Sequence, residues 1–345
     1  MRVFLRVSVS AFVNSLFSKL SSEGVSHNTS GMFRMAPGGQ IALGRPSSKA
    51  VAFFTHVFDE AIELRYRKLK SNLDGLAQIF ILAQRGTPIP REFSGETYFF
   101  DYGGLRSEAA RVIGDELIPG NTHLVALDFA RHHPGFDYYW FVEYDVVFSG
   151  NWATLFMAVQ DDRSDLLATH IRSVTEEPRW PWWSTLDLPG CPLPRPSWRR
   201  AFFPVYRISR EGLGAVNERV KSGWSGHFEA LVPCAIQTAS LSISDLGGAG
   251  ILTPEDRRHR FYSSFSSRAG ESLNAGTLRH RPPHYFPRLR KNTIFHPVKS
   301  DSGNRQDGLV RALRQQHLRE LPVRCAVSLY YNLLSLLARL AQELK

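Results

Sequence analysis

The stretch Tyr138-Tyr139-Trp140-Phe141-Val142-Glu143-Tyr144-Asp145-Val146-Val147-Phe148 sets two acids inside an otherwise apolar run. Five consecutive apolar residues, Tyr138 to Val142, predict a central strand buried on both faces, as in α/β sheets covered by helices. Glu143 and Asp145 then fall where the strand gives way to a loop, and ligands bind at that carboxyl edge of open α/β sheets. Residues i and i+2 on extended backbone point the same way, so both carboxylates address one cleft while Tyr144 packs on the other side. Such a pair suits a hard divalent cation shared with a diphosphate. The competing reading is a solvated pair that merely ends the strand. Apolar sequence on both sides weighs against it, because burying two charges without a partner costs several kcal/mol or more.

Working outward, Ala50 to Thr55 is a short apolar run ending in a polar residue, and Asp59 to Leu69 has helical spacing of Ile62, Leu64, Tyr66 and Leu69. Ala77 to Ala83 is a second buried strand bounded by Asp74-Gly75 and by Gly86 and Pro88. Glu108 to Leu117 reads as helix, His123 to Ala130 as mixed, Asn151 to Val159 as helix and Asp165 to Thr169 as strand. Glu229 to Ala239 reads as a helix interrupted by Pro233. Strands alternating with helices predict an α/β fold with a mainly parallel central sheet flanked by helices. The expected organisation is a flexible extension over 1–48, rich in Ser and Gly, one large domain over 49–300 and a helical appendage over 301–345.

The chain has 345 residues, 43% hydrophobic, enough for a sizeable core. Cys191, Cys234 and Cys325 are far apart and odd in number, which argues against a disulfide framework or a zinc site and for a reducing, cytoplasmic setting. A net charge of +10 favours an anionic partner: nucleic acid, an acidic membrane face or a phosphorylated substrate. The basic residues gather at Arg195–Arg200, Arg257–Arg260 and Arg279–Lys291 without a nucleic-acid-binding motif, which disfavours nucleic acid. No apolar stretch reaches the roughly 18 residues of a membrane span. Arg6 interrupts what would be the core of a signal peptide in Met1–Leu20, and the Asn28-Thr29-Ser30 sequon carries little weight by itself. Cys325–Ala338, flanked by Arg324 and Arg339, suits either packing on the core or lying on an anionic inner membrane face.

The blocks YWFVEYDVVFSGNW, FFPVYRIS, GWSGHFEALVP and FHPVK resemble GT-A glycosyltransferases, nearest to poorly characterised bacterial proteins related to a eukaryotic domain of unknown function. The resemblance runs from Ala50 to about Lys299. It implies a GT-A-like fold and a metal-assisted, hexosyltransferase-like activity on a nucleoside diphosphate sugar. In that family an acidic D-x-D motif ends a buried strand and holds the metal. Here Glu143 stands at the first position, a departure that keeps the charge and leaves Asp145 the stronger ligand. His296 matches the family's late metal-binding histidine and Lys299 its phosphate-contacting lysine. Glu229 matches the acid that accepts the acceptor's proton in inverting members, with His227 as its competitor for that role.

These matches predict metal ligands Asp145, Glu143 and His296 for Mn²⁺ or Mg²⁺, and a donor contact from Lys299; Thr55 and Arg281, the latter in the basic run Arg279-His280-Arg281, are further candidate donor contacts. The acceptor is expected to be a hydroxyl on a glycan, a lipid-linked sugar or a small molecule. Trp180, Trp182 and Trp183 lie in a Pro-rich loop and suit either a sugar face or a lid on the core. Each site residue has an ordinary structural alternative: Glu229 as a first-turn acid on a helix dipole, His296 as a structural histidine before Pro297, Arg281 as a solvated surface charge. Two further functions use the same carboxylates or none: a metal-dependent nucleotidyltransferase or phosphohydrolase, and a catalytically silent carbohydrate- or nucleic-acid-binding protein.

Overall fold

The structure, a computed structural model, describes residues 48–109, 111–267, 270–284 and 290–299. The expected extension over 1–48, apart from Ser48, and the appendage over 301–345 lie outside the described residues, as do Met1–Leu20, the Asn28 sequon and Cys325–Ala338. In chain order the principal elements are β1 (Lys49–Thr55), α1 (Glu60–Asn72), β2 (Gln78–Gln84), β3 (Thr97–Phe100), α2 (Tyr102–Glu108), α3 (Thr122–His132) and β4 (Tyr138–Glu143). There follow β5 (Val147–Phe148), α4 (Trp152–Ala158), β6 (Leu166–Ser173), β7 (Arg199–Ser209), α5 (Arg210–Lys221), α6 (Phe228–Thr238) and β8 (Ile243–Asp245). Three short strands close the described chain: β9 (Ser264–Ser267), β10 (Ser272–Gly276) and β11 (Ile294–Phe295).

Seven strands form one sheet in the order β3-β2-β1-β4-β7-β6-β8, with helices on both faces. All neighbours pair in parallel except β7, which runs antiparallel to both β4 and β6. The sheet is therefore mainly parallel, as the alternation of strands and helices predicts, with β7 as its antiparallel strand. Sequence patterning misses β7 because Pro204 sits inside it. A strand proline removes a ladder donor and is tolerated at irregular positions, and the β6–β7 register shifts between Leu167 and Thr169, opposite this stretch.

The strand β4 shows why the run at 138–148 decides the architecture. Tyr139 and Phe141 enter a core with Phe129 of α3 and Leu231 of α6, while Trp140 and Val142 enter a second core with Tyr66 of α1 and Leu155 of α4. Trp140 is 1% exposed and stacks on Phe156 at 4.4 Å between centroids. The helices α1 and α4 start where a side chain takes an orphan N–H: Asp59 accepts from Ile62 N at 2.9 Å for α1, and Asn151 from Ala153 N at 2.8 Å for α4.

Three helix expectations are corrected. The segment Glu108–Leu117 is not helical: α2 ends at Glu108, Gly114 takes φ +61°, and the buried Asn121 side chain captures Ile113 N, Ile113 O and Glu116 O in place of a helical ladder. The mixed segment His123–Ala130 lies inside the regular helix α3. Pro233 does not interrupt α6, which begins one residue earlier than expected and runs through it. No helix among the described residues is long and apolar enough to cross a membrane.

Replacing Trp140 by Ala empties the centre of the second core, so Trp140→Ala should cost about 3–5 kcal/mol. Urea unfolding followed by circular dichroism reads this as a lowered midpoint at unchanged slope.

Candidate active site

Glu143 is the last residue of β4 and continues the face that carries Tyr139 and Phe141; Asp145 follows two residues later and is 6% exposed. Their partner arrives from far along the chain. β11 pairs antiparallel with β5, Phe295 opposite Val147, and Val298 N donates to Asp145 O at 2.8 Å. The Arg65 guanidinium ties the same two segments, donating to Tyr144 O at 3.0 Å and to Val298 O at 2.8 Å. This zipper delivers His296 and Lys299 onto the acidic pair.

His296 Nε2 lies 3.3 Å from Glu143 Oε2 and 3.4 Å from Asp145 Oδ1, and one ligand atom from each of the three residues falls within 4.8 Å of the others. The other ring nitrogen, Nδ1, sits 2.9 Å from Arg279 O. A carbonyl can only accept, so this contact places a proton on Nδ1 and aims Nε2 at the carboxylates, the outer-shell arrangement that orients metal-binding histidines. Lys299 Nζ is 3.1 Å from Asp145 Oδ2 and 5.6 Å from the Tyr144 ring centre. Two carboxylates and an oriented imidazole fit a divalent cation such as Mn²⁺ or Mg²⁺. The three sequence-predicted ligands and Lys299 are thus brought together.

Without a metal, a proton holds the cluster together. Burial alone would lower the His296 pKa, but hydrogen bonds and charge from Asp145 and Glu143 outweigh it and raise it to about 10. Burial alone would likewise raise the Asp145 carboxyl, but His296 and then Lys299 outweigh it and bring it down to about 2. A metal at Nε2 has to displace that imidazolium proton, so metal binding is coupled to proton release.

The helix α6 opens beside this cluster. His227 caps it, its Nδ1 accepting from Glu229 N at 3.4 Å, and its ring stacks on Trp182 at 4.8 Å. Burial first, then the charges of His280, Arg200 and His123, lower the His227 pKa to about 3. A capping, neutral imidazole of that basicity is a poor proton acceptor, which sets His227 behind Glu229. Glu229 is 4% exposed and its buried Oε2 has no hydrogen-bond partner. Burial, with Glu143 adding repulsion, pushes its carboxyl up to about 8 against the opposing charges of Arg200 and His296.

Two predicted residues remain, Thr55 and Arg281. Thr55 is buried and its hydroxyl donates to Val57 O in a local turn. Arg281 is exposed and makes no ion pair with the cluster, whereas its neighbour Arg279 is buried and donates to Pro282 O at 2.7 Å. Of the tryptophans, Trp180 and Trp183 pack with Ala230 as core and Trp182 is half-buried. A cleft of about 310 Å³, counting its open mouth, has Glu143 in its wall with Phe54, Phe141, Tyr206 and Phe228.

Sequence reading missed a buried network that joins β6, β7 and β9. Arg200, 0% exposed, donates through Nε and Nη2 to Glu177 Oε2, and Glu177 Oε1 meets His170 Nε2 at 2.8 Å and Ser266 Oγ at 2.7 Å. The available signal was an arginine beside the apolar run Ala201-Phe202-Phe203, since a charge next to a buried strand demands a partner.

No protein-family model matches the sequence, and no curated protein matches it. Among solved structures the chain is similar to an active-site mutant of LgtC, at 10% identity over 57% of this chain and 72% of that one, with a TM-score of 0.34. It is also similar to the galactosyltransferase LgtC in complex with donor and acceptor sugar analogs, at 10% identity over the same shares with a TM-score of 0.33. A chain named as a glucose-1-phosphate thymidylyltransferase from Bacillus anthracis, in complex with sucrose, is similar at 9% identity over 57% of this chain and 86% of that one, with a TM-score of 0.33.

The two shifts within the cluster predict how metal-free stability depends on pH. His296, raised above its unfolded value, stabilises fully below about pH 6.5, and that contribution is lost as pH rises through about 10. Asp145, depressed, stabilises above about pH 4, and that is lost as pH falls through about 2. Urea midpoints of the chelator-treated chain should decline from neutral to alkaline pH, and His296→Gln should flatten that decline. An equal decline in the variant would show that other groups cause it.

Proposed function

We propose that the chain is a metal-assisted glycosyltransferase, moving a sugar from a nucleoside diphosphate sugar to a hydroxyl acceptor with inversion. The observation that carries this reading is the convergence of Glu143, Asp145, His296 and Lys299 at the carboxyl end of β4, where open α/β sheets place their ligands. A divalent cation held by Glu143, Asp145 and His296 would supply positive charge against a departing diphosphate. Lys299, half-exposed beside Asp145, adds a cationic donor toward phosphate oxygens.

In the transfer, the bond from the anomeric carbon to the diphosphate oxygen breaks and its electron pair leaves with the diphosphate. The acceptor oxygen forms the new bond to the same carbon, and its proton passes to Glu229. A carboxylate whose pKa stands near 8 is a better base at neutral pH than an ordinary one, provided it is ionised. Thr55 and Arg281 are kept as donor contacts of lower weight, since the Thr55 hydroxyl already serves a turn and Arg281 lies at the surface. A nucleotidyltransferase or phosphohydrolase would use the same carboxylates; the unpaired acid of Glu229 beside them favours transfer to a hydroxyl over both. A reducing cytoplasmic location, suited to the free thiols of Cys191 and Cys234, and peripheral contact with an anionic membrane through the basic surplus complete the proposal.

Asp145→Asn deletes a charge and almost no volume, so it should abolish the Mn²⁺-dependent part of UDP or GDP binding while the fold persists. Calorimetry with and without Mn²⁺ decides this, and unchanged affinity would remove the cluster from the mechanism. Glu229→Gln should leave donor binding intact and lower kcat by roughly 10²-fold or more. A variant that instead loses only about 0.3–1 kcal/mol of stability and keeps its turnover would be a helix-dipole acid.

A further inference from the structure

The cleft that has Glu143 in its wall is bounded by the starts of α3 and α6, and aromatic rings build most of it. Phe54 comes from the end of β1, Phe141 from β4, Phe203 and Tyr206 from β7 and Phe228 from α6, with aliphatic side chains of β2 and α3 between them. The polar side-chain groups of the wall are the Glu143 carboxylate and the hydroxyls of Thr122 and Tyr206. Thr122 Oγ1 is buried and has no hydrogen-bond partner. Glu143 belongs to the cleft and to the metal-type cluster at once, since its Oε2 lies 3.3 Å from His296 Nε2.

An irregularity in β7 makes this wall. Ala201 and Phe203 enter the core with α3 and α6 and Phe202 enters the other, but past Pro204 the alternation slips by one: Val205 enters the other core, and Tyr206 and Ile208 rejoin Phe203. In a regular strand residues three apart lie on opposite faces; an irregular insertion re-aims a side chain. The Phe203 and Tyr206 rings thus meet at 4.6 Å on one side of the sheet. Tyr206 stacks on Phe141 at 5.0 Å and Phe203 on Phe228 at 5.3 Å. Phe228 N donates to Gly120 O at 3.0 Å, which ties the start of α6 to the turn before α3. Gly120 takes φ +102°, and a Cβ there would stand 3.2 Å from His227 Cδ2. Rings braced in this way keep the gap between sheet and helices open. The series of near-parallel rings continues from Phe228 through His227 to the half-buried Trp182, at 5.4 and 4.8 Å, so the apolar wall reaches the outside.

The chemistry of the occupant follows from that lining. A concave, mainly apolar pocket with a few placed polar groups is the form of a small-molecule site, and apolar cavities take small aromatic molecules where water gains little. A sugar ring carries polar groups all round its edge, and three polar side chains cannot replace the water it would lose; a hydroxyl left against Leu82 or Val125 has no partner. A phosphate or carboxylate meets Glu143 with like charge. An ammonium meets the His296 imidazolium, or a metal in its place, with like charge. A neutral, flat apolar molecule with one hydroxyl has none of these costs: its body lies on the rings and its O–H has Glu143 as acceptor.

We propose that this cleft binds a small aromatic alcohol, with its ring among Phe54, Phe203 and Phe228 and its hydroxyl at the Glu143 end, and that this alcohol is the acceptor. Naming it the acceptor rests on the transferase reading; its seat in the cleft does not. In the transfer the hydroxyl oxygen forms the bond to the anomeric carbon, the bond from that carbon to the diphosphate breaks with its electron pair leaving on the diphosphate, and the hydroxyl proton passes to Glu229, which follows Phe228 of the wall in the chain.

Crystals of the full chain soaked with benzyl alcohol, and separately with methyl glucoside, test the site without any assumption about activity. The benzyl ring should lie among Phe54, Phe203 and Phe228 with its hydroxyl oxygen within hydrogen-bond distance of a Glu143 oxygen, and methyl glucoside should stay out of the cleft. A cleft without benzyl alcohol, or one that seats the glucoside in preference, would overturn the proposal. In solution, Ala126→Leu fills the α3 side of the cleft and should weaken benzyl alcohol binding in an NMR titration about tenfold or more, while UDP–Mn²⁺ affinity stays unchanged. Equal benzyl alcohol affinity in the folded variant also overturns the site, and if the variant does not fold the wild-type crystal still decides. With a UDP-sugar and Mn²⁺, kcat/KM for transfer to benzyl alcohol should exceed that for methyl glucoside about tenfold or more, and the reverse order overturns the acceptor assignment. Absence of UDP–Mn²⁺ binding by the wild-type chain would instead remove the transferase reading and leave the seat in the cleft standing.

Discussion

One buried and one half-buried carboxylate at the end of a central strand are the constraint around which the described domain is arranged. Neither Glu143 nor Asp145 can reach a cation within its own strand, and leaving the buried Asp145 unpaired in an apolar setting would cost several kcal/mol. The partner comes from 154 residues away, where Lys299 meets Asp145, with His296 three residues before it. The short β5–β11 pairing, the Val298–Asp145 backbone bond and Arg65 at both carbonyls make that return specific. A contact of such sequence separation has a large loop-closure cost, and the backbone bonds around it, rather than the ion pairs alone, offset it. The same arrangement is why the cluster suits a metal: groups that must be held against one another's charge are already oriented.

The single antiparallel strand has a local consequence. β7 inserts between β4 and β6, so its two buried faces bring Phe202 onto His296, at 5.2 Å between rings, and Phe203 onto Phe228 at the start of α6. Arg200 lies two residues before Phe202 on the same strand, and in extended chain that spacing returns a side chain to the same face. One strand therefore touches the metal-type cluster, the helix that carries Glu229 and the network that anchors Arg200. Part of the basic surplus disappears into such interior work: Arg207 and Arg257 both pair with Asp162, and Arg279 serves backbone carbonyls and His284. Net charge read from composition overstates what is left for an anionic partner at the surface.

What was legible in the sequence was whatever a short window carries. The apolar run of β4, the alternation that aims Glu143, and the helical spacing after Asp59 and Asn151 are local signals, and the structure follows them. The late His296 and Lys299 were legible only through the family resemblance, because no periodicity connects Phe295-His296-Pro297 to a strand 150 positions earlier. Where reading failed, tertiary partners had overridden propensity. Asn121 unwound the helical pattern of Glu108–Leu117 by taking three of its backbone groups, and Pro204 disguised a long strand. Thr55 ended the first strand in the right place but turned its hydroxyl to Val57. The Glu177–Arg200–His170 network joins three separate segments and has no sequence spacing to recognise.

The two halves of the site are linked electrostatically. Glu143 is the negative charge that adds most to the burial raising the Glu229 carboxyl, and Arg200 and His296 act the other way. The carboxyl therefore leans toward its neutral form at neutral pH. A cation at Glu143 would offset that repulsion and leave the pull of Arg200, so the ionisation of Glu229 is tied to charge at the end of β4 through space, with no moving element between them. The coupling depends on Glu143 being a full charge pointed at the α6 side of the sheet, and the alternation Tyr139, Phe141, Glu143 along β4 provides that direction.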